Sequence, residues 1–532
     1  MSNEYGDKRF LIVDDFDSML KSIRRMLEAL GIKQIHDAKN GERALQMLQT
    51  WPVDVVLCDY NLGDSKDGQQ VLEEARARRL LKPGAVFLMV TAETSIEMVL
   101  GAVEQKPDDY LTKPFNRNAL KTRLDRALRK KERFAAIDAA AAEGGYPRVV
   151  TLCDELFARA EGSRAELHRR KGEALLAMGE HARARELFEA VLAERDVPWA
   201  RLGLGRALYG SGDHGAAAEV FGALVAENRL NVPAYDWLAR TRRAQGESEA
   251  AQRILAEAVE VSPKSVTRQR RLGEIAYENR DFDSAEKAYR AAVKVGRHSH
   301  LRSLDDHTCL ARTLSGKGDD AAALKVIADA RREAAFGGLE ARRLALAESE
   351  ALRALGRDAE AREVLARSDA AAIPEDARHV ELDRARALFA QGDRESGVEE
   401  LKRLVRNHHD DDAVLTEVRA LFAEVGMESE GRRLVSDLRD ELVRLNNRGV
   451  QLAREGDLKG AIELFRDAAM GMPDNKAVNL NAAQVAIMHM QAQGADPRLR
   501  EEVRTYLSRV ERADPESPRF RALYSQYRSL PQ

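Results

Sequence analysis

Residues 10–15 read Phe-Leu-Ile-Val-Asp-Asp, residues 55–59 read Val-Val-Leu-Cys-Asp, and residues 109–115 read Asp-Tyr-Leu-Thr-Lys-Pro-Phe. Each is a short strand-like run that stops on a group able to do chemistry: Asp14 and Asp15, Asp59, and Lys113 before Pro114. Working outward, further strand-like runs cover 34–37 and 85–91, the second ending on Thr91, and the run before Asp59 extends back to Val53. Between these runs apolar residues recur at helical spacing, as in Met19, Ile23, Met26, Leu27 and Leu30. Gly31, Gly41, Gly68, Pro83-Gly84 and Pro107 punctuate the segments. Short apolar strands alternating with helices predict an α/β domain over residues 1–130, with a doubly wound, five-stranded parallel sheet. In such sheets ligands bind beyond the carboxyl ends of the strands, which is where Asp14, Asp15, Asp59, Thr91 and Lys113 fall.

Three carboxylates brought together repel one another unless a cation lies among them. A hard divalent ion prefers oxygen ligands. Lys113 adds a fixed positive charge and Thr91 a hydroxyl. Phosphoryl transfer is mainly positioning and charge neutralisation, so this set suffices for a Mg2+-dependent phosphoryl-accepting site. The segments Asp14-Asp15, 58–64 (CDYNLGD), 91–93 (TAE) and 109–115 (DYLTKPF) together resemble the receiver domain of two-component response regulators, a CheY-like, flavodoxin-like fold, across residues 7–130. The resemblance implies Mg2+ held by Asp14, Asp15, Asp59 and the backbone carbonyl of Asn61. It also implies phosphorylation of Asp59 by a histidine kinase or phosphotransfer protein, with Thr91 and Lys113 contacting the phosphoryl group. Tyr110 is then the switch aromatic that follows Thr91, and Lys113–Pro114 a cis peptide. Asn61 and Glu93 stand where the family tunes self-dephosphorylation. One departure is visible. Leu62-Gly63 replaces the family's Met-Pro pair and Gly68 comes one residue late, so the loop after Asp59 is longer and, with Asp64 and Asp67, more acidic.

After about residue 131 the strand signal ends. Glycine recurs at positions 144, 179, 212, 246, 318, 356, 392, 426 and 456, with Arg280 in the slot between 246 and 318. A period of about 34 residues marks helix–turn–helix repeats. Other columns move with it: small residues such as Gly172, Gly205, Gly273 and Gly449, alanines such as Ala184, Ala217 and Ala285, and large residues such as Phe188, Phe221, Tyr289 and Phe465. Small residues let helices approach and large ones fill the gap. These columns resemble tetratricopeptide (TPR) repeats. The expected organisation is ten units over 131–475, an all-α superhelix, and a helical cap over 476–532. The resemblance implies a concave groove for a protein partner. The segment 115–143 contains neither Gly nor a second Pro. Leu120, Leu124 and Leu128 share one helical face, and Phe134, Ile137 and Ala141 another. The last receiver helix is therefore expected to abut or run into the first repeat helix.

Several blander patterns are expected to be structural. Gly203-x-Gly205 lies in a repeat column and reads as packing rather than a nucleotide loop. The run His408-His409-Asp410-Asp411-Asp412 reads as a solvated turn, and the arginine runs 240–243 and 268–271 as solvated helix faces. Trp199 and Trp237 read as core.

Composition limits the function. With 44% hydrophobic and 33% charged residues the chain has enough apolar material for packed domains and is not a disordered tail. The net charge of −3 leaves no excess of base for nucleic acid. No run approaches bilayer length and the first ten residues lack an apolar leader, so a cytoplasmic protein without membrane insertion is expected. Cys58, Cys153 and Cys309 are far apart and give no metal spacing. The expectation is a non-enzymatic regulator whose output is protein binding. A repeat tail acting as a phosphatase or as a scaffold toward another signalling protein is the alternative.

Overall fold

The computed structural model describes residues 5, 7–63, 66–92, 107–333, 338–369, 378–409, 411–494, 496–514 and 517–530. The chain divides into two compact units, Met1–Asp306 and His307–Gln532.

The first unit begins with the α/β domain. Its strands are β1 (Arg9–Val13), β2 (Gln34–Ala38), β3 (Val55–Asp59), β4 (Val86–Thr91) and β5 (Asp109–Thr112). They form one parallel sheet in the order β2-β1-β3-β4-β5. Helices α1 (Asp17–Glu28), α2 (Gly41–Thr50) and α3 (Gly68–Ala77) connect the first four strands. The alternation along each strand fixes two cores. Phe10, Ile12, Val55, Leu57, Leu88 and Val90 face Leu20, Ile23 and Leu27 of α1. Leu11, Val13, Val56, Cys58, Phe87 and Met89 face Leu45 and Leu48 of α2 and Val71, Leu72 and Ala75 of α3. Apolar residues on both faces are what a parallel sheet covered by helices requires. β3 starts at Val55 rather than Val53, because Asp54 turns its carboxylate onto the backbone N–H of Arg9 at 2.8 Å and closes the entry to the sheet.

A single helix, Arg117–Ala142, then leaves the sheet. Asn116 caps it by accepting from the Ala119 N–H at 2.9 Å. Leu120, Leu124 and Ala127 lie in the core of the sheet domain, whereas Phe134 and Ile137 lie in the core of the helices that follow. Of the two forms expected, abutting or running through, the chain adopts the continuous one. Lys131 on this helix pairs with Asp108 of the sheet domain at 3.0 Å.

Antiparallel helix pairs follow: Arg164–Ala177 with His181–Glu194, Pro198–Gly210 with His214–Glu227, Val232–Ala244 with Ser248–Val261, and Val266–Glu278 with Phe282–Gly296. All ten turn positions read from the sequence have a positive φ, from 60° at Arg280 to 87° at Gly456. That conformation is open to glycine at little cost. The small-to-large columns are contacts. A Cβ on Gly172 or Gly203 would sit 2.4 or 2.3 Å from the Phe188 ring, and one on Gly205 would sit 2.5 Å from Phe221. Gly203 and Gly205 are thus packing positions on either side of one helix turn.

The second unit continues with helices of the same kind. Here Gly397 and Gly431 pack against Phe389 and Phe422. The large ring comes from the preceding helix, which is why the alanine column lapses in these units. Helix Glu428–Arg454 runs 27 residues without a turn. The short glycine interval from 426 to 456 reflects this: one helix serves two successive units. Three expectations change. Arg268 is buried at 4% exposure and holds Asp236 with two bonds of 3.0 and 2.9 Å, and Arg270 holds Asp306 likewise at 2.6 and 2.8 Å. Arg268 and Arg270 thus form an inter-helix ion-pair seam, while Arg271 is exposed as expected of a solvated face. His409 Nδ1 lies 2.9 Å from Asn475 Nδ2 and is half-buried, so its turn is packed, while Asp410 lies outside the described residues. Trp199 and Trp237 are half-buried, against Phe188 and Phe221 respectively.

Candidate functional site

The first acidic pair ends β1, in register with Cys58 through Val13, so Asp14 and Asp59 arrive side by side. Between these two strands the strand order reverses, and this is the crevice in which doubly wound sheets bind ligands. One carboxylate oxygen from each of Asp14, Asp15 and Asp59 lies within 4.8 Å of the others. Among the described residues this is the one acidic, His or Cys group so placed. Asp14 and Asp59 are 1% and 7% exposed. Asp14 Oδ1 accepts from the Phe16 N–H at 2.9 Å, which fixes its rotamer.

Lys113 stands at the end of β5, tied to β4 by its N–H bond to the Thr91 carbonyl at 2.7 Å. Its ammonium reaches Asp14 Oδ2 at 2.8 Å and Asp59 Oδ2 at 2.9 Å. The Lys113–Pro114 peptide bond is cis. Thr91 ends β4 and is 1% exposed. Tyr110, on β5, is half-buried against the α2/α3 core. Asn61 is exposed, and its Oδ1 accepts from the Gly63 N–H at 3.2 Å. Glu93 and Asp64 lie outside the described residues.

The electrostatics follow from burial. Desolvation raises the pKa of Asp59, Lys113 pulls it back, and Asp14 adds to the rise; the net is upward. For Lys113 burial works against the charge, but the bonds to Asp14 and Asp59 outweigh it and the pKa rises. Burial, and then Tyr60, push the Tyr110 phenol up. Asp15 Oδ1 is buried without a hydrogen-bond partner. An orphaned carboxylate oxygen beside two other acids, all of them hard oxygen donors, fits a divalent cation such as Mg2+.

Two residues of the loop after Asp59 change meaning. The Asp67 side chain accepts from the Gln70 N–H at 2.8 Å while Gln70 returns a bond to the Asp67 backbone, a capping box on α3. It is therefore not a fourth acid of the site, and the Asp-x-x-Gln spacing before an apolar helix was its signal. Gly68 donates to the Tyr60 carbonyl at 2.8 Å, and a Cβ there would lie 2.2 Å from the Asp59 carbonyl oxygen. Only glycine allows α3 to start this close to β3.

The profile described as "Response regulator receiver domain" matches residues 10–125, and two profiles described as "Tetratricopeptide repeat" match residues 140–240 and 238–299. Chemotaxis protein CheY-3 of Vibrio cholerae is 34% identical over 122 residues, which is 23% of this chain and 92% of that protein. The chain belongs to the response regulator receiver family. Chemotaxis protein CheY of Pseudomonas aeruginosa is 33% identical over 122 residues, 23% of this chain and 97% of that protein. A solved CheY-like receiver domain protein from Methanospirillum hungatei is 30% identical, covering 24% of this chain and 96% of its own, with a TM-score of 0.22. These relatives align with about a quarter of the chain. The receiver domain is followed by TPR repeats, which none of the three shares. No described helix is long and apolar enough to cross a membrane.

Proposed function

We propose that this response regulator accepts a phosphoryl group on Asp59 from a phosphohistidine donor, with Mg2+ as cofactor, and that its repeat array passes the signal on by binding a protein partner. The convergence of Asp14, Asp15 and Asp59 under Lys113 carries this reading. Asp14, Asp15, Asp59 and the Asn61 carbonyl would hold the ion. Its contribution is neutralisation of the charge gathering on the phosphoryl oxygens.

The rest is done by the chain. Asp59 supplies the carboxylate oxygen that attacks phosphorus; an O–P bond forms as the P–N bond of the donor breaks, and the released imidazole takes a proton. Lys113 is already between Asp14 and Asp59 and is held charged by both, so it stays available to the incoming oxygens as the site fills. Thr91, at the rim of the same crevice, supplies a hydroxyl to the phosphoryl group, and Tyr110 follows it. Beyond its own phosphorylation and dephosphorylation the chain performs no catalysis on this reading. The output is carried by helices whose recurring spacing builds surface rather than a second reactive centre.

The test is radiolabelled acetyl phosphate with Mg2+. The intact chain should take up label at one acid-stable, alkali-labile site and Asp59→Asn should take up none. Label persisting in Asp59→Asn would refute the assignment.

A further inference from the structure

The loop that departs from the family pattern is also where the receiver meets its own repeats. Lys66, two residues before Gly68, has a side chain only 15% exposed. Its ammonium pairs with Glu74 of α3 at 3.0 Å and donates a hydrogen bond to the backbone carbonyl of His298, just beyond helix Phe282–Gly296. A second contact lies on the same side. Tyr60, the residue after the acceptor, has the Lys264 ammonium 5.8 Å from its ring centroid, within cation–π range. Lys264 sits in the turn between helices Ser248–Val261 and Val266–Glu278. The same lysine bears electrostatically on the Asp67 carboxyl, and His300 lies in the field of Glu74 and Lys66.

These contacts are coupled to the acceptor by backbone, not by long side chains. Asp59 is followed directly by Tyr60, and the start of α3 is wedged against the Asp59 carbonyl at Gly68. Lys66 and Asp67 lead into that wedge. Asp14, Asp15, Asp59 and the Asn61 carbonyl would hold the cation, and a phosphoryl group on Asp59 would compete for Lys113, which in the unloaded site bonds Asp59 at 2.9 Å. Gly68 is fixed against the Asp59 carbonyl, so a shift at Asp59 would be taken up at Tyr60 and Lys66.

We propose that Tyr60 and Lys66 form a contact surface for the chain's own repeat array, closed in the phosphoryl-free state and loosened when Asp59 is loaded. The turn at Lys264 and the segment at His298 are then the first elements outside the receiver to respond. This rests on Asp59 being the acceptor. Coupling of this kind is reciprocal: what opens the contact also favours loading.

The experiment uses the full chain with Mg2+ and beryllofluoride, a phosphoryl mimic, and reads backbone hydrogen exchange at 262–266 and 296–301. Loading should speed exchange in both segments about tenfold, within the usual range of allosteric coupling, and Asp59→Asn should show no change. The Lys66→Ala/Lys264→Ala variant should exchange fast before loading and bind beryllofluoride about tenfold more tightly. Lys264→Glu, which alters only the repeat side, should shift binding in the same direction and covers a fold defect at Lys66. If the chain binds beryllofluoride through Asp59 while exchange at both segments stays unchanged or slows, the contact is not a sensor and the acceptor assignment survives. If beryllofluoride and acetyl phosphate both fail to load, the acceptor assignment and this inference fall together.

Discussion

Replacing Lys113 with alanine isolates the electrostatics of the site. The ammonium lies 2.8 Å from Asp14 and 2.9 Å from Asp59, carboxylates that are 1% and 7% exposed. Removing one partner of a buried pair leaves uncompensated charge and costs about 3–5 kcal/mol. Water reaches the Lys113 side chain to a limited extent, so the low end, about 3 kcal/mol at pH 7, is expected. The pH dependence has a definite sign. The folded pKa of Asp59 is raised already, by burial first. A group with a raised folded acid pKa binds more protons folded than unfolded, so stability falls as pH rises through that window. Without Lys113 the main influences that lower this pKa are lost. The penalty of Lys113→Ala should therefore grow from pH 4 toward neutrality and then level off. On the proposed function Mg2+ is held by the same carboxylates, and at one hundred times its Kd it should stabilise the variant by about 2.7 kcal/mol. Hydrogen exchange of β1 and β3 amides, compared with the parent chain at pH 4.5 and 7 with and without Mg2+, measures this. An equal penalty at both pH values, untouched by Mg2+, would refute the account.

Other substitutions probe the scaffold. Gly203→Ala puts a Cβ 2.3 Å from the Phe188 ring and should destabilise the first repeats by about 1–3 kcal/mol in urea unfolding, with recovery in a Gly203→Ala/Phe188→Leu double variant. Arg280→Gly, at φ 60°, should stabilise by about 1 kcal/mol in the same assay, since a left-handed residue with a Cβ is strained. Arg312→Ala should cost the second unit about 3–5 kcal/mol. It bonds Asp383 at 2.6 Å and Glu350 at 3.1 Å in a buried cluster completed by Arg343, and unfolding of the His307–Gln532 unit reports the loss.

The site residues were legible because strand ends and spacing are local properties. Each of Asp14, Asp59, Thr91 and Lys113 is placed by the run it terminates, and a parallel sheet then has one way to gather those ends. The role of Asp67 was not read from the acidic loop: its carboxylate is claimed by the N–H groups that open α3. The burial of Arg268 was hidden because its partner, Asp236, lies on another helix, and a run of charges reads the same whether solvated or paired.

What the sequence determined by itself is everything that depends on periodicity and turn chemistry: the alternating strands and helices of residues 1–130, the ten left-handed turn positions, and the small and large residues that interlock between helices. Tertiary structure alone decided which distant groups meet. The unbroken helix Arg117–Ala142 joins two cores, Asp15 keeps an unmatched oxygen in the crevice, and Lys66 reaches His298 across more than two hundred residues. Backbone preference is set by neighbours within a few residues, whereas such contacts depend on how the rotations of successive helix pairs accumulate, and no local pattern records that sum.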